Sequence, residues 1–286
     1  MIAVLSDIHG NYLALKAVID SLPLVSEIWI LGDTLGELPF PFETISCLEQ
    51  LKEHTTLRMI AGNREYSLLE AHKGEHPDWW KGTRMRALAW TVDQLRDVHW
   101  REMEQLSNVL YTDVLSGGAV LCHGTPKQVR GMIRTRKQAE KEIKHCSKTW
   151  IICGHTHNSK FFRIDQKNIV NAGSVGISLD GVGGVACYAL IEPSKKREES
   201  GCVELRYVSY DVEKTVELLK KSEVWELAPG IARTEMLELQ TGRHYMIRLV
   251  SFCHKYAEQY LGYPVEDIPT ELWVEAEKKW ITNKFC

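Results

Sequence analysis

With 286 residues, the chain is long enough for one large domain or a domain with an appendage. Its formal net charge of −3 gives no overall basic field, so nothing favours general nucleic-acid binding. No apolar run approaches the roughly 18 residues of a membrane span, and the N-terminus lacks the basic lead of a signal peptide. The eight cysteines form no C-x-x-C pair, so we expect reduced thiols in a cytoplasmic protein.

Short apolar runs alternate with helical patterns in the first half of the chain. The runs predict five buried strands, over residues 2–5, 28–31, 57–60, 119–122 and 150–153. Apolar residues at helical spacing predict helices between them, over residues 11–22, 41–53, 84–97 and 127–145. This alternation favours an α/β fold.

After residue 158 the pattern changes to strands joined by turns, which predicts an antiparallel set that completes a second sheet. These strands are "KFFRI", "NIVNAGS", "GVACYALIE" and "CVELRYVSY". Residues 192–201 carry many charges and predict a solvated hairpin tip, and residues 211–222 predict a helix that closes the core. We therefore place the end of the main domain at residue 222.

Residues 223–286 are predicted to form a C-terminal helical extension rich in aromatic side chains. Residues 246–260 repeat apolar side chains at helical spacing, and Trp273, Ala276 and Trp280 share one face of a second helix. Such stripes usually serve packing, so we expect contact with the core or with a second subunit, through which the chain could form a homo-oligomer.

Side chains that can bind metal ions follow every one of the five predicted strands. They are Asp7, His9, Asp33, Asn63, His123, His155 and His157. Because ligands bind at the carboxyl ends of strands in open α/β folds, these donors form one site if the strands share a sheet. Two residues apart on an extended segment, Asp7 and His9 would point to the same side, as would His155 and His157.

Seven donors are too many for one tetrahedral ion but suffice for two. Carboxylate, imidazole and amide ligands without a thiolate favour Mn, Fe, Co or Zn. Two such ions about 3.5–4 Å apart can activate a water molecule for displacement at phosphorus. The set therefore predicts metal-assisted hydrolysis of a phosphate ester.

These residues resemble the signature of the calcineurin-like metallophosphoesterase superfamily, in its bacterial branch of small phosphodiesterases and phosphatases. The matching blocks are "DIHG" (7–10), "GD" (32–33), "GN" (62–63), "HG" (123–124) and "GHTH" (154–157). The resemblance covers about residues 1–222. It implies a four-layer αββα sandwich of two mixed β-sheets, followed by the helical extension.

The resemblance also implies roles for the site residues and two divalent or trivalent transition-metal ions, Mn first, with Fe, Co, Zn or Ni as alternatives. One ion would be held by Asp7, His9 and His157, the other by Asn63, His123 and His155, and Asp33 would bridge them. A metal-bound hydroxide would then attack the phosphorus of a small phosphate ester or nucleotide. Asn11 and the amides around Gly173 and Ser174 would lie near the substrate.

Two features depart from that family pattern. Many relatives have histidine after the G-N block, where this chain has Arg64, and the stretch after Asp33 is unusually apolar. Arginine cannot act as a general acid near neutral pH, but its fork can bind a phosphate and stabilise developing charge, so we predict that role for Arg64. The alternative function is a metal-binding scaffold with lost or minor catalysis that binds a partner through the extension. A nucleotide-cofactor enzyme is not supported, because the first strand precedes no G-x-G-x-x-G.

Overall fold

The computed structural model describes residues 1–75, 82, 84–193 and 201–285. The strands, in chain order, are β1 (Ile2–Leu5), β2 (Glu27–Ile30), β3 (Thr56–Met59), β4 (Val109–Thr112), β5 (Ala119–Cys122), β6 (Trp150–Cys153), β7 (Ser159–Ile164), β8 (Lys167–Ala172), β9 (Val185–Glu192) and β10 (Cys202–Ser209). The helices are α1 (Tyr12–Ser21), α2 (Pro41–His54), α3 (Asn63–His72), α4 (Arg86–Gln94), α5 (Asp97–Glu104), α6 (Arg136–Lys144), α7 (Val212–Lys221), α8 (Val224–Leu227), α9 (Pro229–Thr241), α10 (Met246–Leu261) and α11 (Thr270–Phe285).

The strands form two mixed five-stranded sheets, in the orders β10-β9-β1-β2-β3 and β4-β5-β6-β8-β7. The five predicted strands therefore do not share one sheet: β1, β2 and β3 run parallel in the first, while β5 and β6 run parallel in the second. The later strands also divide. β9 and β10 extend the first sheet and β7 and β8 extend the second, so they form no separate antiparallel sheet.

Alternation along the buried strands produces the four layers. Ile2 and Val4 of β1 point into a core that contains Leu121 and Ile152 of the second sheet, so the sheets pack face to face. The other face of the first sheet packs against residues of α1 and α2, and that of the second sheet packs against α6. This arrangement confirms the predicted αββα sandwich with C-terminal helices.

Two predicted helices have different bounds in the structure. The helix expected over residues 84–97 corresponds to α4, which ends at Gln94, and a further helix, α5, begins at Asp97. The helix expected over residues 127–145 begins only at Arg136. Thr135 fixes this start, because its side chain accepts a hydrogen bond from Gln138 N and Gln138 Oε1 accepts one from Thr135 N. The preceding residues form turns that carry a run of basic side chains.

The C-terminal helices pack into the body of the molecule. Trp273 and Trp280 are 2% and 6% exposed, and they belong to a cluster that includes Leu38 and Phe40 from the loop after β2. The predicted stripe of α11 is thus buried within the chain itself. In α10 the stripe is buried at Leu249 and Cys253, whereas Tyr260 is 67% exposed.

The structure also bears on the cysteines, on membrane-spanning helices and on the charged hairpin tip. The seven cysteines within the described ranges are free thiols. None of the described helices is long and apolar enough to cross a membrane. Most of the predicted hairpin tip, residues 194–200, lies outside the described part of the chain.

Candidate metal centre

The parallel strands of both sheets end at the same place, and all seven predicted ligands lie there. Asp7 and His9 follow β1, Asp33 follows β2, and Asn63 is the first residue of α3 after β3. From the other sheet, His123 follows β5, and His155 and His157 follow β6. The site thus joins the carboxyl ends of two facing sheets instead of the edge of one.

The seven side chains form two adjoining groups. Asp7, His9 and His157 each place one ligand atom within 4.8 Å of the others, as do Asp33, His123 and His155. Asn63 joins the second group, because its Oδ1 lies 3.1 Å from His123 Nε2.

Asp33 belongs to the second group but also lies close to the first. Its Oδ2 is 3.7 Å from His9 Nε2 in one group and 3.4 Å from His123 Nε2 in the other. Its Oδ1 accepts a hydrogen bond of 2.7 Å from the backbone N–H of Arg64. One oxygen is therefore anchored, and the other faces imidazoles of both groups.

Asp7 has a similar division between its two oxygens. Its Oδ2 accepts hydrogen bonds from Ser6 Oγ at 2.6 Å and from His155 N at 2.8 Å. Its Oδ1 is fully buried without a hydrogen-bond partner, and it lies 3.3 Å from His157 Nε2. Because a buried carboxylate oxygen without a partner is unfavourable, this atom fits a cation at the centre.

The imidazoles are oriented by hydrogen bonds at their outer nitrogens. Nδ1 of His123 bonds to Leu31 O at 2.7 Å, and Nδ1 of His157 bonds to Ile177 O at 2.9 Å. The Nε2 atoms of His123 and His157 consequently face the centre. There, His157 Nε2 lies 3.1 Å from His9 Nε2. Two ring nitrogens at that distance need a proton or a metal ion between them, so the donors fit metal binding.

The electrostatics of the centre attract positive charge. Burial raises the pKa of Asp33, but the imidazoles of His123 and His9 outweigh this and hold that pKa well below its usual range. Burial lowers the pKa of His123, yet the Asp33 and Asp7 carboxylates raise it to about 9. For His155, burial and the neighbouring His123 lower the pKa to about 4.

Five of the seven ligands are oriented by a left-handed backbone conformation and not by an extended one. Asp7 and His9 have φ angles of 53° and 50°, Asp33 has 50°, and His155 and His157 have 66° and 56°. The expectation that the paired residues lie on extended segments is therefore wrong. Each left-handed non-glycine residue costs about 1–2 kcal/mol, so the surrounding fold must impose this geometry.

Two buried glutamates that the sequence analysis did not identify support the ligands. Glu65 accepts hydrogen bonds from the backbone N–H groups of Asp33, Thr34 and Gly62, at 2.7–2.8 Å, and so joins the loops after β2 and β3. Glu37 accepts a hydrogen bond from His9 Nδ1 at 3.1 Å. The capping position of Glu65, three residues after Gly62, is a sequence signal that could have revealed it.

Arg64 lies at the margin of the site, with its side chain 27% exposed and Nη2 paired with Glu37 Oε1. Asn11 does not reach the site with a free polar group. Its Oδ1 accepts the N–H of Ala14 at the start of α1, and its Nδ2 donates to Gly176 O. Being fully buried as well, it gives no support to the prediction that it binds substrate.

The loop around Gly173 and Ser174 lies against the first ligand segment. Ser174 Oγ donates a hydrogen bond of 2.7 Å to Asp7 O and accepts one from Ile177 N. The loop therefore supports the backbone that carries Asp7 and positions Ile177, whose carbonyl orients His157.

Helix α9 of the extension places two buried glutamates next to this region. Glu235 is 4% exposed, its Oε2 has no hydrogen-bond partner, and it lies within electrostatic reach of Glu37 and Arg64. Burial and the neighbouring Glu238 and Glu37 carboxylates raise its pKa well above the usual range. The extension therefore borders the site, which the sequence alone did not indicate.

Comparisons with known proteins identify related sequences and a similar fold. An uncharacterized protein of Methanocaldococcus jannaschii is 26% identical over 243 residues, covering 79% of this chain and 94% of that one. A solved metallophosphoesterase structure from Sphaerobacter thermophilus superposes with a TM-score of 0.65 at 24% identity, covering 83% of this chain and 98% of that one. A symmetrical bis(5′-nucleosyl)-tetraphosphatase of Psychromonas ingrahamii is 28% identical over 78 residues, or 26% of this chain and 28% of that one.

A family match spans most of the chain. The calcineurin-like phosphoesterase superfamily domain matches residues 1–196, which include all seven predicted ligands. The chain belongs to the calcineurin-like phosphoesterase superfamily.

Proposed function

We propose that the chain is a dinuclear metal-dependent phosphoesterase that hydrolyses a phosphodiester or a nucleotide-type phosphate ester. The observation that carries the proposal is the position of Asp33 Oδ2, which lies 3.4 Å from His123 Nε2 in its own group of ligand atoms and 3.7 Å from His9 Nε2 in the other group. The buried, unpartnered Oδ1 of Asp7 supports it further. A scaffold that had lost catalysis would not be expected to keep this complete donor set.

Each group would hold one ion. The first ligand set is Asp7, His9 and His157, the second is Asn63, His123 and His155, and Asp33 is shared. Bound there, the ions would lower the pKa of a water molecule and neutralise charge on the phosphoryl group. Mn²⁺ is our first choice, because oxygen and imidazole donors without thiolates suit it.

The protein itself would position the reacting groups. His155, His157 and Arg64 are half-buried, whereas the other proposed ligands are buried, so the centre opens to solvent on the side of these three residues. A substrate phosphate would enter from that side, where Arg64 can reach it. Glu65 would keep the Asp33 and Gly62 segments together during turnover.

A nucleotide-type substrate is supported by the similarity to the symmetrical bis(5′-nucleosyl)-tetraphosphatase, although that similarity covers a quarter of this chain. Nucleotide-type esters and simple phosphodiesters both present an anionic phosphoryl group, which two cations can activate.

Steady-state hydrolysis of bis(p-nitrophenyl) phosphate by the Mn²⁺-loaded chain tests the proposal. We expect turnover in the native chain and in His145→Ala, which removes an exposed imidazole outside the site. We expect none in Asp33→Ala or His123→Ala. Full activity in both of these variants would refute the assignment, and tight metal binding without turnover on a panel of phosphate esters would favour the scaffold alternative.

A further inference from the structure

The turn between α9 and α10, residues 242–245, is held in one conformation. Gly242 ends α9 in the left-handed region with φ 65°, as glycine can without strain. Glu238, which is 4% exposed, then accepts hydrogen bonds from the backbone N–H groups of Tyr245 at 2.6 Å and Met246 at 2.7 Å. A buried carboxylate with two such bonds fixes the turn, and with it the side chains of the next residues.

This turn contacts residues 177–181, the segment that supports the proposed metal ligand His157. Gly181 N donates a hydrogen bond of 2.9 Å to Gly242 O across the contact. On the same segment, Leu179 N donates to His157 O at 3.0 Å, and Ile177 O accepts from His157 Nδ1 at 2.9 Å. Residues 177–181 therefore contact both the α9–α10 turn and the proposed metal ligand His157.

The side chain of His244 has two arginines and His157 within its electrostatic reach. His244 of the turn is half-buried and lies within electrostatic reach of Arg134, Arg248 and His157. Arg134 comes from the loop that follows His123, and Arg248 lies in the first turn of α10, with Cζ 4.9 Å from the ring centre of Tyr245. Burial, together with these positive neighbours, lowers the pKa of His244.

The positive charge of the residues around His244 is not fully neutralised. Residues 124–135 and 240–248 carry five lysine or arginine side chains and no carboxylate. Both Arg134 and Arg248 are exposed, and neither forms an ion pair with a carboxylate among the described residues. Asp180, whose oxygens accept hydrogen bonds from Ser159 N and Oγ, also lies within reach of His244, but its single negative charge does not balance the two arginines. An anion would therefore find uncompensated donors here.

We propose that Arg134, His244 and Arg248 form a second anion subsite, which binds a phosphate of the substrate other than the one hydrolysed. The inference rests on the proposed function and narrows its substrate class to nucleotide-type esters with two or more linked phosphates. Two guanidinium groups suit this task, because each can bind phosphate oxygens through paired N–H donors. The extension would thereby select the substrate.

Substrate discrimination tests the subsite in the Mn²⁺-loaded full chain. The measured quantity is kcat/KM for diadenosine tetraphosphate divided by kcat/KM for bis(p-nitrophenyl) phosphate, which carries one phosphate. In Arg134→Ala/Arg248→Ala we expect this ratio to fall by about tenfold or more, the effect of losing charged hydrogen bonds. The control, Arg86→Ala/Arg101→Ala, removes two exposed arginines from α4 and α5. A variant ratio within about twofold of the native value would overturn the proposal, since general structural damage lowers both rates together.

Binding to the metal-free chain gives a readout that does not depend on catalysis. Calorimetric titration with tripolyphosphate should show at least about tenfold weaker binding in Arg134→Ala/Arg248→Ala than in the native chain and the control. Equal affinity in all three proteins would also overturn the subsite. A failure of the proposed function would give a different result from a failure of the subsite. The native chain would then hydrolyse neither ester, but its binding of tripolyphosphate would still be weakened by Arg134→Ala/Arg248→Ala.

Discussion

Replacing Glu37 by glutamine keeps the size of a buried side chain but removes the charge that links Arg64 to His9. One Glu37 oxygen pairs with Arg64 Nη2, and the other accepts a hydrogen bond from His9 Nδ1 at 3.1 Å. Glu37 is 7% exposed, so water cannot readily replace it. The substitution should therefore weaken the orientation of His9 without removing a proposed metal ligand.

The size of the effect follows from the role of such supporting partners. Loss of the group that orients a metal-binding histidine weakens metal affinity by about 10–100-fold, or about 1.4–2.8 kcal/mol. The Asp7, His9 and His157 group should show this loss of affinity, because it contains His9, the ligand that Glu37 orients. The group that contains His123 should keep its affinity within about threefold, since its outer contact to a backbone carbonyl is unchanged.

Calorimetric titration of the metal-free chain with Mn²⁺ would resolve the two affinities. Glu204→Gln is the matched control, because Glu204 also pairs with an arginine, Arg206, but on an exposed strand. An equal loss at both sites, or no loss at either, would refute the positioning role of Glu37.

Three other changes have defined outcomes. Arg64→Ala should lower kcat/KM for a chromogenic phosphodiester by about tenfold or more while metal still binds, and unchanged kinetics would make Arg64 a bystander. Gly242→Ala should lower the thermal midpoint more than Gly262→Ala, because both glycines are left-handed but only at Gly242 would a Cβ atom meet neighbouring backbone, at 2.5 Å. Arg58 holds the pKa of Glu27 below its usual value, so this pair stabilises the fold above that pKa and the contribution is lost as pH falls. Arg58→Met should therefore flatten the acidic limb of unfolding free energy against pH, measured by urea titration; an unchanged slope would contradict this.

The convergence of the ligands could be predicted from sequence because it depends on local signals. Each short apolar run had to be a strand, and the polar residue after it had to lie at the strand's carboxyl end. The division of these strands between two sheets could not be predicted in the same way. A four-residue run such as Ile2–Leu5 or Trp150–Cys153 is fully buried, and its letters do not specify which neighbour it pairs with.

Backbone conformation at the site was beyond sequence reasoning for a different reason. Aspartate and histidine only tolerate the left-handed region, and tertiary contacts force Asp7, Asp33 and His155 into it. The start of the helix predicted over residues 127–145 was placed too early, because basic residues fit a helical surface and a solvated loop equally well.

The extension shows most clearly how packing decides what a sequence pattern means. The aromatic stripe of α11 correctly indicated a packed helix, but Glu235 and Glu238 of α9 would ordinarily indicate a solvent-facing side. Both are buried, because α9 lies over the apolar loop after β2, where Leu38 and Phe40 join the cluster of Trp273. The same loop carries Glu37, so the apolar stretch after Asp33 and the extension pack as one unit beside the ligands. A chain that ended at residue 222 would expose this cluster and leave the Glu37 loop uncovered, so the extension forms one wall of the candidate metal centre.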